Sequence, residues 1–274
     1  MLTRTLKRIA RRLKFEAERF PTLVRDRVLA SLPDEFKYQR GMLSMSASLR
    51  NLQRDGFRPA SIIDIGAYHG DWSRMARSIY PDTPIFMVEA NPEKELILAA
   101  AAREIGRTEY RIALLGSRPA AAVPFNVMET GSSVLPEKTS IPRSTALLSM
   151  TTLDALFADD PLLPRPHFLK LDVQGYELEI LSAGEDVLAS TQAVLLEVAL
   201  LEYNEGAPLF SEVVAFMQAR GLVVYDICGC LRRESNNTLY MTDLLFVQQD
   251  SPLRSRKPFW NREAAFETQG LPAR

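Results

Sequence analysis

The sequence predicts an α/β protein with a seven-stranded, mostly parallel sheet and helices on both faces. The first observation is a strand–turn–helix unit, in which the apolar run 61–65 is followed by Gly66, Gly70 and a helical pattern through Ile79. Further core strands are predicted at 85–89, 109–115, 167–172, 193–198, 222–227 and 239–248. The last two have no helix between them, so the final strand is expected to run antiparallel to its neighbour.

Helices are predicted at 2–20, 42–56, 92–105, 152–157, 176–182 and 208–220, and two extra strands at 121–129 and 147–151. From Ser251 onward the pattern fades, with prolines and scattered aromatics. We therefore expect a basic helical extension at 1–40, one domain at 41–250 and a tail at 251–274.

The composition is ordinary for a globular domain. The chain has 274 residues, of which 46% are apolar, and its formal net charge is −1. That charge does not indicate a nucleic-acid partner, and no apolar run reaches the length of a membrane span. The two cysteines, Cys228 and Cys230, are too few for a four-ligand zinc site, and we expect no metal site. The alternative is a divalent cation held by the acids Asp172, Glu197 and Asp243. Free thiols and the lack of an apolar leader predict a cytoplasmic protein.

The N-terminal segment is distinct in charge. Residues 1–27 hold nine Lys or Arg against three acids, a local net charge of +6, and residues 2–20 carry an apolar stripe. A helix of this kind packs on its own domain or on a second copy, which is the interpretation we favour. The alternative is contact with an anionic membrane surface, at the inner face of the membrane.

The turn after the first strand narrows the choice of ligand. Its pattern is D-x-G-x-x-x-G, from Asp64 through Gly66 to Gly70. A dinucleotide site needs G-x-G-x-x-G instead, and no P-loop pattern occurs in the chain. A carboxylate here suits a positively charged ligand, such as the ammonium and sulfonium of S-adenosylmethionine. A plain tight turn between strand and helix is the alternative.

The second strand also ends in an acid. Glu89 is placed to accept hydrogen bonds from both ribose hydroxyls of a nucleoside. The alternative is an acid that favours the start of the next helix. Asn91 and Pro92 already supply the cap and the first-turn residue of that helix, which favours the ribose role.

A family resemblance follows from an ordered set of segments. IIDIGAYHGDWS, FMVEANPE, GSSVL, TTLDAL, FLKLDVQGYELEILSAG, AVLLEVALLEY and YMTDLLFV resemble the FkbM-type S-adenosylmethionine-dependent methyltransferases, over roughly residues 40–248. The resemblance implies a class I methyltransferase fold, which is Rossmann-like. It also implies cofactor contacts by motif position: Asp64, Gly66, Ala67, Tyr68 and Gly70 around the methionine part, Glu89 at the ribose, Ala90 and Asn91 by the adenosine, Ala113 and Leu114 beside the adenine, and Ser132 and Ser133 in a nearby loop.

The same resemblance implies a transfer of methyl to a hydroxyl on a sugar, a glycan or a small natural product. A hydroxyl acceptor needs a base, and Asp172 at the end of the fourth strand is our first candidate. Its alternative role is a hydrogen bond to the cofactor's amine. His69 and Glu197 are the other candidate catalytic residues. Many family members carry Glu where this chain has Gln174, which as a neutral amide cannot be the base.

Two other functions stay open at this point. One is a non-catalytic interaction protein that keeps the fold, and the other is an NAD-dependent oxidoreductase. The set Asp64, Glu89 and Asp172 favours the methyltransferase.

Overall fold

The computed structural model describes residues 43–139, 141–158 and 163–255. The predicted helix at 2–20 and most of the predicted tail lie outside these residues. The domain limits at 40/41 and 250/251 therefore stay predictions. No helix within the described ranges is long and apolar enough to cross a membrane.

Within the described residues, ten strands form two sheets. They are β1 (Ser61–Ile65), β2 (Ile85–Glu89), β3 (Thr108–Ile112), β4 (Leu114–Leu115), β5 (Ala120–Val127), β6 (Ser144–Thr151), β7 (His167–Leu171), β8 (Thr191–Ala199), β9 (Leu222–Arg232) and β10 (Leu239–Gln248). The main sheet has the order β3-β2-β1-β7-β8-β10-β9. Strand β10 runs antiparallel to both of its neighbours, and the other pairs are parallel. The predicted fold class is thereby confirmed.

Helices cover both faces of the main sheet. They are α1 (Met45–Arg54), α2 (Asp71–Ile79), α3 (Glu95–Ile105), α4 (Leu153–Phe157), α5 (Glu177–Ser182), α6 (Glu185–Ala189) and α7 (Phe210–Gln218). The first three pack on one face and contribute to a core with Ile62 and Phe168. The other four pack on the opposite face around Ile63 and Leu169. Every residue of β1 and β7 is buried, because helices cover both faces of these strands.

The region after β2 differs from the prediction. The predicted strand 109–115 is two strands, because the chain leaves the main sheet after Ala113, whose N–H bonds the Glu89 carbonyl. Strand β4 then joins β5 and β6 in a second sheet of order β4-β6-β5. The two extra strands exist as predicted, but their sheet was not predicted, and neither was α6. A two-residue strand and a five-residue helix leave almost no periodic signal.

Candidate active site

A cavity of about 200 Å³ lies at the carboxyl ends of β1, β2 and β7. This is the edge of a parallel α/β sheet at which ligands bind. Among the predicted site residues, those lining it are Gly66, Ala67, Tyr68, His69, Glu89, Ala90, Ala113, Leu114, Ser132 and Asp172. The predicted residues that do not line it are Asp64, Gly70, Asn91, Ser133 and Glu197. The structure thus gathers ten of fifteen predicted residues around one cavity.

The glycine turn is set by close backbone packing. Gly66 has φ 75°, and a Cβ at this position would overlap the carbonyl oxygen of Asp172. Only glycine satisfies both conditions without strain. Gly70 has φ 78° and is the N-cap of α2, where its conformation starts the helix without touching the cavity.

Asp64 faces the protein interior and not the cavity. It is fully buried, accepts a hydrogen bond from Ser73 Oγ at 2.7 Å, and lies 3.0 Å from Lys170 Nζ. The sequence alone favoured a direct role against a cationic ligand. In the structure its charge is compensated by Lys170 beneath the turn.

Lys170 is the residue at this edge that sequence reasoning missed. Its ammonium donates to the Gly66 carbonyl at 2.9 Å and lies 3.7 Å from Asp172 Oδ2. Burial lowers the pKa of Lys170, but the carboxylates of Asp64 and Asp172 outweigh it and raise the pKa to about 12. The amine is therefore a cation at neutral pH, and Lys170 lines the cavity. A lone Lys inside the apolar strand HFLKL was the available signal.

Glu89 holds the two loops that flank the cavity. Its Oε2 accepts the backbone N–H of Tyr68 at 2.9 Å and its Oε1 that of Asn91 at 2.8 Å. Burial raises the pKa of Glu89, although these two N–H groups act against the shift. Asn91 lies behind it and caps the next turn through Glu93 N–H at 3.0 Å.

Asp172 and Glu197 share one amide. Gln174 Nε2 donates to Asp172 Oδ1 at 3.1 Å and to Glu197 Oε2 at 2.8 Å. Gln174 adopts φ 59°, a left-handed conformation in which its side chain reaches both acids. The Asp172 side chain is 42% exposed and lines the cavity. Burial and the neighbouring Asp172 raise the pKa of Glu197 well above its usual range.

Two further acids lie behind these. Glu177 Oε1 accepts the N–H groups of Val173 and Gly175, and burial raises its pKa to about 7. Asp243 lies opposite Glu197 on β10, and burial raises its pKa to about 6. In the described part of the chain, no three His, Cys, Asp or Glu side chains are grouped to hold a metal ion. The arrangement of Asp172, Glu197 and Asp243 therefore does not support a cation site.

The outer wall of the cavity is tied together by Tyr68. Its ring stacks on that of His69 with centroids 3.7 Å apart, and its hydroxyl donates to Glu129. Lys94 Nζ lies 3.0 Å from Glu129 and 4.5 Å from the centre of the Tyr68 ring. Neither Lys94 nor Glu129 was predicted, because their proximity depends on how the second sheet packs.

Ser132 and Ser133 make different contacts. Ser132 Oγ accepts Met128 N–H at 2.9 Å and lines the cavity. Ser133 Oγ donates to the Gln174 carbonyl at 3.1 Å, which fixes the loop against the turn after β7. Ala113 and Leu114 line the cavity from the segment where the chain leaves the main sheet.

Solved structures of several methyltransferases resemble the chain at low sequence identity. An FkbM methyltransferase from Methylobacillus flagellatus KT is 12% identical with a TM-score of 0.47, over 77% of this chain and 50% of that one. Precorrin-6y C5,15-methyltransferase from Geobacter metallireducens GS-15 is 16% identical with a TM-score of 0.40, over 74% and 85%. TrmK of M. capricolum, solved with S-adenosylhomocysteine, is 7% identical with a TM-score of 0.44, over 74% and 67%.

A search of curated proteins gives no match. The family model described as Methyltransferase FkbM domain matches residues 64–224, which is more than half of the chain. This range contains every strand from β2 to β8 and all fifteen predicted site residues. The chain therefore belongs to the FkbM methyltransferase family, and its methyl donor is S-adenosylmethionine.

Proposed function

We propose that the protein transfers a methyl group from S-adenosylmethionine to a hydroxyl oxygen of a sugar, a glycan or a small natural product. The observation that carries the proposal is the Asp172 carboxylate, which is 42% exposed at the carboxyl end of β7. An exposed carboxylate on the cavity wall suits the removal of a hydroxyl proton.

Several features of the cavity support the cofactor. Each carboxylate oxygen of Glu89 already accepts one N–H, and each keeps a lone pair for a ribose hydroxyl. We assign the ribose to Glu89, the adenine to the wall at Ala113 and Leu114, and the methionine part to the turn at Gly66. The cavity is continuous between these three places.

Asp172 fits the role of base better than Glu197. Glu197 does not line the cavity, and burial, which raises its pKa, disfavours its charged form. The bound cofactor supplies a methyl group on a sulfonium, and the C–S electron pair leaves with the sulfur. Asp172 takes the acceptor's proton as the acceptor oxygen forms its bond to the methyl carbon. Gln174 and Lys170 hold the carboxylate in place for that step.

The charges at this edge favour a neutral acceptor. The carboxylates of Asp172, which is 42% exposed, and Glu129, which is 75% exposed, both line the cavity. Such acids repel a phosphate backbone, which nucleic-acid enzymes must attract with Lys and Arg. We therefore propose a small-molecule or glycan substrate and no nucleic acid. The basic segment 1–27, proposed to contact the domain, a second copy or an anionic membrane, lies outside the described residues.

Titration calorimetry followed by an acceptor screen tests the proposal. S-adenosylhomocysteine should bind and NADH should not, and methyl transfer to hydroxyl-bearing acceptors should depend on Asp172. Binding of NADH with similar affinity would favour an oxidoreductase. Cofactor binding without turnover on any acceptor class would favour a non-catalytic interaction protein.

A further inference from the structure

Two ring nitrogens beside the cavity have no hydrogen-bond partner within the described residues. They are His69 Nε2 and Trp72 Nε1, and both atoms are buried. Both residues line the cavity. Buried polar atoms are almost always paired, so two orphans three positions apart at a ligand cavity indicate a missing partner.

The chemistry of these atoms defines that partner. An indole Nε1 can only donate a hydrogen bond, so its partner must be an acceptor and cannot be a cation. His69 Nε2 donates in one tautomer, and in the imidazolium form it also donates. The His69 ring is held by its stack on Tyr68, and the Trp72 ring packs edge-on against Phe168 at 5.8 Å. Both nitrogens are therefore presented from rings that are already fixed.

The charged side chains near the two rings already have partners of their own. The Lys170 ammonium is already bound to Asp64 at 3.0 Å and to the Gly66 carbonyl at 2.9 Å. Asp71 also lines the cavity, but it is 81% exposed and lies 3.0 Å from Arg74 Nη1. Its negative charge is thus compensated on the solvent side of α2.

We propose that His69 and Trp72 bind the α-carboxylate of the cofactor's amino-acid part, an inference that rests on the cofactor placement proposed above. His69 lies in the turn between β1 and α2, which is assigned to that part of the cofactor, and Trp72 is the second residue of α2. The ammonium of the cofactor cannot accept a hydrogen bond, the adenine is assigned to the wall at Ala113 and Leu114, and the ribose oxygens are assigned to Glu89. The carboxylate is the one remaining strong acceptor of the cofactor, and the ring N–H groups of His69 and Trp72 would donate hydrogen bonds to it.

The test compares S-adenosylhomocysteine with its decarboxylated analogue, which keeps the adenosine, the thioether and the amine. The wild-type protein should bind S-adenosylhomocysteine at least about tenfold more tightly than the analogue. Trp72→Phe and His69→Phe retain an aromatic ring. Each should weaken the binding of S-adenosylhomocysteine about tenfold and leave the affinity for the analogue nearly unchanged. Tyr80→Phe is the matched control, because Tyr80, the residue that follows α2, donates from a buried hydroxyl to the Leu49 carbonyl and does not line the cavity.

A spectroscopic measurement tests the wild-type protein directly. The chain has two tryptophans, so the indole N–H resonance of Trp72 is assigned by its loss in Trp72→Phe or, if that variant does not fold, by the resonance remaining in Trp260→Phe. This resonance should move downfield when S-adenosylhomocysteine is added and should not shift when the analogue is added. Equal binding of both ligands by the wild type, or equal weakening of both by the variants, would overturn the proposal. No binding of S-adenosylhomocysteine at all would instead refute the cofactor placement itself.

Discussion

Lys170 Nζ lies 3.0 Å from Asp64 Oδ1, at a point where β1 and β7 are paired and both side chains are almost completely buried. The same ammonium reaches the Gly66 carbonyl and approaches Asp172. One cation therefore links the turn after β1 to the end of β7. This link determines the floor of the cavity before any ligand is bound.

Lys170→Met should destabilise the fold by about 3–5 kcal/mol, because it leaves the fully buried Asp64 carboxylate unpaired. Urea unfolding of the variant measures this loss. The double variant Lys170→Met with Asp64→Asn removes both charges and should recover a large part of it. A single variant as stable as wild type would show that the pair does not support the fold.

The site residues that lie at the ends of strands could be predicted from the sequence. Glu89 and Asp172 follow apolar runs directly, and parallel strands bring such residues to one edge. Asp64 was assigned to the ligand because its partner on β7 is set by register, which a single segment does not reveal. The lone Lys in HFLKL and the lone Asp in SIIDI were nevertheless a usable pair.

The second sheet could not be predicted from the sequence, because its pairing leaves no local signal. Strand β4 has two residues and pairs with Met150 and Thr151, far along the chain. No local periodicity records that contact. The position of Glu129 beside Tyr68 and Lys94 depends on this packing, so it was missed together with the sheet.

Glu89→Ala should weaken S-adenosylhomocysteine binding by about 1–3 kcal/mol, because charge-assisted hydrogen bonds to the ribose are lost. Glu89→Gln is the matched control, since its amide keeps one acceptor oxygen and loses the charge, and we expect an intermediate effect. Calorimetry on both variants gives the comparison. An unchanged affinity in Glu89→Ala would mean that another residue holds the ribose.

Stability should fall as pH rises from about 4.5 to 7, in part through Glu177. Its pKa in the folded protein is about 7 against 4.5 for a free side chain, so the folded state binds more protons within this window. The free energy of unfolding should decrease by on the order of 2–3 kcal/mol across it. Glu177→Gln keeps an acceptor for Val173 and Gly175 N–H and removes the titration, so its stability profile should be flatter. Parallel profiles for the variant and the wild type would assign the slope to other groups.

Asp172→Asn separates the two roles open to this carboxylate. If Asp172 is the base, turnover should fall by about 10²–10⁴-fold, the usual contribution of general base catalysis, while cofactor affinity changes little. If it anchors the cofactor's ammonium instead, affinity should fall first and turnover should follow from it.

Glu197→Gln is the matched control for that experiment, because Glu197 is bonded to the same Gln174 amide but does not line the cavity. Because Glu197 does not line the cavity, a neutral amide at this position should leave turnover within about threefold of wild type, well below the effect of losing a base. A large loss in Glu197→Gln with a small one in Asp172→Asn would reverse the two assignments. Near wild-type values in both would move the search for the base to His69, whose ring also lines the cavity.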